Sequence, residues 1–67
     1  MIWKEYEEAR DARARTHPDM SAARVCFDAL WDVNPRLARN LLPDSPERCP
    51  VKVIEQVLHQ LDQGGSR

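Results

Sequence analysis

The stretch Ser21 to Val33, SAARVCFDALWDV, is apolar around most of its helical circumference and constrains every other segment of the chain. Read at the helical period, Ala23, Phe27, Leu30 and Trp31 form one stripe and Ala22, Cys26, Ala29 and Val33 a second, leaving the line Arg24, Asp28 and Asp32 for water. A helix apolar on two faces needs cover on two sides. The segment is therefore expected to be the central post of a small all-α bundle of three to four helices. Its cover comes from the flanking segments, or in part from a second copy of the chain.

The flanks read as helices of different strength. Residues 2–16 contain no Gly or Pro, and Ile2, Trp3, Tyr6 and Ala9 recur at i, i+3 or i+4, which predicts a helix over 2–16 that packs through its aromatic start. Glu5, Glu7 and Glu8 precede Arg10, Arg13 and Arg15, the order that complements a helix dipole. Pro18 disfavours helical geometry at His17 and imposes a turn. Asp19 or Ser21 can then cap the central helix, predicted over 20–33, although Arg24 stands where a capping box would place Glu.

Asn34-Pro35 ends that helix and opens another, because Asn is a good N-cap and Pro at the first helical position lacks only a donor that would be unpaired anyway. The new helix, predicted over 35–42, carries Leu37, Ala38, Leu41 and Leu42 on one side, with Arg36, Arg39 and Asn40 on the other, and Pro43 stops it. Pro43, Pro46 and Pro50 make 43–49 a stiff turn, with room for one helical turn begun by Asp44 or Ser45. Beyond it Val51, Ile54, Leu58 and Leu61, widened by Val53 and Val57, predict a final helix over 50–63 with Gly64 at its end. The alternation of Val51 and Val53 also fits a short strand there. A frayed polar tail is expected over 64–67. Tyr6, Phe27, Leu30, Leu41, Ile54 and Leu58 are the predicted core.

A chain of 67 residues makes a single helical domain, 1–67, near the lower size limit for folding without a staple, so a homodimer is a reasonable supplement to its core. Ten basic side chains against eleven acidic ones leave a net charge of −1, which argues against nucleic-acid or anionic-membrane partners that rely on a basic field. No run approaches a membrane span, and the charged residues following Trp3 interrupt what would be a leader's apolar core, so a cytoplasmic location is expected. Cys26 and Cys49 could form one bridge, but a reducing compartment and the apolar setting of Cys26 favour free thiols.

Chemistry-bearing residues are sparse. His17, Cys26, Cys49 and His59 are the conceivable zinc ligands, yet they lie singly on separate elements where structural zinc sites draw ligands in close pairs. Asp28 and Asp32 lie one helical turn apart and could serve a metal; as neighbours of Arg24 they read more simply as a solvated stripe. Cys26 with a distant His is the one nucleophile–base candidate, and a buried thiol is a poor nucleophile. So short a chain is also expected to lack a supported pocket of ~300 Å³ or more. No catalytic residue, cofactor or metal is assigned, and the chain is expected not to be an enzyme.

Four short helices with a tight Asn34-Pro35 junction resemble, loosely, a helix-turn-helix arrangement in which Arg36, Arg39 and Asn40 would read DNA. The charge balance and the Pro43 stop weigh against it. A protein-binding module fits better, since Trp, Tyr and Arg are the usual interface anchors and three large aromatics are hard to bury in one small domain. Trp3, Tyr6, Arg10, Trp31, Arg36 and Arg39 are the candidate binding residues. Compact chains of this kind, including regulators and inhibitors encoded by phages and plasmids, commonly act by binding a larger protein, and that role is the expectation here.

Overall fold

The structure, a computed structural model, describes residues 1–64. Its elements are α1 (Ile2–Thr16), α2 (Ala22–Val33), α3 (Pro35–Leu41), a 3-10 turn (Pro46–Arg48) and α4 (Val51–Gly64), with no strand among the described residues. The architecture is the expected all-α bundle. Val51 and Val53 lie within α4, so the short-strand alternative is set aside. Most of the tail expected over 64–67 lies outside the described residues, and Gly64 is the last residue of α4.

The boundaries follow from capping chemistry. Ser21 Oγ accepts the Arg24 N–H at 3.3 Å, giving an orphan donor of the first turn of α2 a partner without a capping box. Asn34 serves two helices: its N–H donates to Leu30 O at 2.8 Å, closing α2, and its Oδ1 accepts the Leu37 N–H at 3.1 Å, opening α3. Ser45 precedes the 3-10 turn, and Cys49 follows it in extended backbone.

α2 is the central element, packing against α1, α3, the 3-10 turn and α4, while α1 also packs on α4. Tyr6, Cys26, Ala29, Leu30, Ala38, Cys49, Ile54 and Leu58 form the buried cluster. Phe27 and Leu41, expected inside, are half-buried and packed against its edge.

The register of α2 departs from the expected stripes by part of a turn. Val25 is buried although neither stripe contained it, whereas Ala22 is exposed and Trp31 is 38% exposed. The cause is α1, which approaches on the side of α2 that carries Val25, Asp28 and Asp32. Arg13 of α1 reaches that side, pairing with Asp32 and approaching Asp28 Oδ2 at 4.0 Å. Asp28 is thereby half-buried, while Asp32, though paired with Arg13, and Arg24 remain exposed as the expected solvent line has them.

α1 receives its N-terminal cap from the far end of the chain. Met1 offers no side-chain cap; instead Asp62 of α4 accepts the Ile2 N–H at 3.0 Å and the Trp3 N–H at 3.1 Å. A carboxylate near the C-terminus of α4 opposes that helix's own dipole by ~0.3–1 kcal/mol. Serving as the cap of α1 contributes ~0.5–2 kcal/mol, so the arrangement is favourable on balance.

Candidate functional site

Side chains beneath Asp62 form a connected polar and aromatic cluster along the α1–α4 seam. Tyr6 is fully buried, and its hydroxyl donates to Glu55 Oε2 at 3.0 Å. Arg10 Nη1 donates to the same oxygen at 2.7 Å, and its guanidinium carbon sits 5.6 Å from both the Trp3 and Tyr6 ring centres. The Trp3 ring lies 5.5 Å from Tyr6 and 3.9 Å from the His59 imidazole. A charge-assisted hydrogen bond and cation–π contact thus converge on one half-buried arginine. Desolvation works to lower the Arg10 pKa, but the hydrogen bond and charge of Glu55 outweigh it and the net shift is upward.

The cluster continues into the core. Tyr6, Cys26 and Cys49 lie together in the buried cluster, close enough that each influences the ionisation of its neighbour. Burial is the first cause holding all three groups protonated: the Tyr6 phenol is raised well above its ordinary value, Cys26 is raised, and Cys49 is pushed up to about 12. Both cysteines are free.

The six candidate binding residues therefore divide by role. Tyr6 is core, which removes it as an exposed anchor; Trp3 and Arg10 are half-buried and committed to the seam. Trp31, Arg36 and Arg39 are exposed on either side of the Asn34-Pro35 junction, and neither arginine has an ion-pair partner among the described residues. Trp31 touches Phe27, its ring centre 6.3 Å away. A second exposed apolar line runs along α4, where Val53 is 55% and Leu61 48% exposed with half-buried Val57 between them. Leu61 was expected on the buried stripe and Val53 and Val57 to widen it; Glu55 and Asp62 take part of that arc instead.

Two open clefts exceed the expected pocket size. One of about 500 Å³ lies at the α1–α2 turn beside His17, Ser21, Arg24 and Glu47, and one of about 400 Å³ lies beside Arg10, Val25, Val51 and Glu55. Ser21 is engaged as the α2 cap, and no hydrogen bond joins it to His17 among the described residues. Of the four residues considered for zinc, His17 is in the turn and His59 stacks on Trp3, while Cys26 and Cys49 meet in the core. No group of three or more His, Cys, Asp or Glu suited to a metal occurs among the described residues.

The polar half of the seam is what sequence reasoning missed. Val51, Glu55, Leu58 and Asp62 recur at i, i+4, i+7 and i+11, so both carboxylates stand on the buried face of α4. A carboxylate inside an apolar stripe signals a partner on the facing helix.

Fold and geometry define a class, a small all-α bundle built on one central helix. No protein-family model, curated protein or solved structure matches the chain. No described helix is long and apolar enough to cross a membrane.

Proposed function

We propose that this chain is a non-enzymatic interaction module that binds a larger protein as a regulator or inhibitor. The observation that carries the reading is the division just described: Trp31, Arg36 and Arg39 remain exposed while the seam consumes Trp3, Tyr6 and Arg10. Trp and Arg are the side chains in which binding energy concentrates, and unpaired guanidinium groups suit an acidic partner surface. The α4 line of Val53, Val57 and Leu61 is a separate apolar surface suited to a second copy of the chain.

The test is affinity capture from the native host's lysate, paired with solution mass. Trp31→Ala or Arg36→Ala should weaken capture by roughly 30-fold, the equivalent of a ~2 kcal/mol anchor, with an unchanged helical circular dichroism spectrum. Capture that survives both changes in folded protein contradicts the named surface. Titration with duplex DNA at ~100 mM salt should leave the protein unbound. Micromolar, steeply salt-dependent binding would instead favour a helix-turn-helix-like DNA regulator acting through Arg36, Arg39 and Asn40. A mass of twice the chain would support the homodimer.

A further inference from the structure

We propose that Cys26 and Cys49 are a paired oxidation site, forming an intramolecular disulfide that fastens the proline-rich segment to α2. Both cysteines of the chain belong to one buried cluster, although one lies in mid-helix and the other follows the 3-10 turn. The 3-10 turn packs on α2, which brings both cysteines into the same buried cluster, close enough for each thiol to perturb the ionisation of the other. The backbone holds Cys49 in place from both sides: its N–H donates to Pro46 O at 3.2 Å and its carbonyl accepts the Val51 N–H at 3.0 Å. Pro46 and Pro50 stiffen the same stretch.

Exposure sets the order of events. Cys49 is 7% exposed and Cys26 is fully buried, so a small disulfide oxidant such as oxidised glutathione meets Cys49 first. The Cys49 thiolate attacks one glutathione sulfur; that disulfide breaks, and the first glutathione leaves with the electron pair and takes up a proton. Cys26 then attacks Cys49 Sγ, and its proton leaves with the second departing glutathione. Two protein thiols are oxidised and one glutathione disulfide is reduced to two thiols.

Burial keeps both thiols protonated near neutral pH, so the first step waits on thiolate formation and local opening, and the reaction runs over minutes to hours. The bridge would close the loop from Cys26 to Cys49, which contains Trp31, Arg36 and Arg39. The inference nevertheless stands independently of any partner bound there.

Full-length protein incubated with oxidised glutathione at mildly alkaline pH, followed by intact-mass spectrometry, tests it. The expected product is a monomer lighter by two hydrogens, with Cys26 and Cys49 in one cross-linked peptide after proteolysis. Its Tm should rise by on the order of 10 °C and return on reduction. Cys26→Ser, or Cys26→Ala if the serine variant fails to fold, should accumulate a glutathione adduct at Cys49. Wild-type protein that stays reduced, retains stable glutathione adducts or cross-links between chains would overturn the proposal.

Discussion

The α1–α4 seam and the segment from α3 to the 3-10 turn are held in different ways. The seam is tied by side chains that bridge 45 to 60 residues of sequence, Arg10 and Tyr6 to Glu55 and the start of α1 to Asp62. α3 is fixed by a cap three residues away and by burying Ala38, with Leu37, Leu41 and Leu42 only half-covered on α2. One region resists opening through coupled long-range contacts; the other depends on local geometry and partial burial. The exposed Trp31, Arg36 and Arg39 flank the junction into the second region, and loosely held segments often carry binding function.

The largest expected effect breaks the central element that serves both regions. Leu30→Ala should destabilise by ~2–5 kcal/mol, since Leu30 is fully buried, whereas Leu37→Ala on half-covered α3 should cost under ~2 kcal/mol. Denaturant unfolding of the two variants measures the contrast, and equal losses would erase it.

Raising the pH tests the polar chain that connects the regions. Unfolded thiols ionise near pH ~8.5 and the phenol near ~10, while folded Tyr6, Cys26 and Cys49 are held protonated. Above pH ~8.5 the unfolded chain therefore sheds protons that the folded chain keeps, and stability must fall. The limiting slope is about 1.4 kcal/mol per pH unit for each group. For Cys49 the window closes at about 12. Below the unfolded values this contribution is fully present, so unfolding midpoints should be insensitive to these groups near neutrality and drop between pH ~9 and ~11. A flat alkaline profile would mean that the three groups are less enclosed than described.

A smaller effect isolates the seam alone. Asp62→Ala removes the acceptor for two N–H groups of α1 and should cost ~0.5–2 kcal/mol, partly offset by relief at the C-terminus of α4. Amide exchange at Ile2 to Glu5 should accelerate while the α3 amides stay unchanged. Acceleration in α3 instead would show that the two regions are not separable.

Much of this fold was legible because its signals are local. Asn34-Pro35, Ser21 and Pro43 act on their own neighbours, so the helix bounds follow within a residue or two of the expected ones. Long-range partnership was not legible in the same way. Arg10 reads identically whether solvated or clamped to Glu55, and Asp28 reads as part of a solvent line until Arg13 arrives from α1. Tyr6 was expected both in the core and among the binding residues, because aromatic character marks a small core and an interface alike, and packing places it in the core. Val25 was missed because α1 takes its side of α2, a choice the apolar count on that helix does not specify.

Native-state amide hydrogen exchange, residue by residue, tests most directly the claim that a tied α1–α2–α4 scaffold carries a loosely held α3 segment. The amides of Ala38 and Leu42, which donate within α3 and at its end, should exchange at least about tenfold faster than those of Leu30 and Leu58, through an opening that leaves the scaffold intact. Protection in α3 equal to that in α2, lost only on global unfolding, would contradict the account.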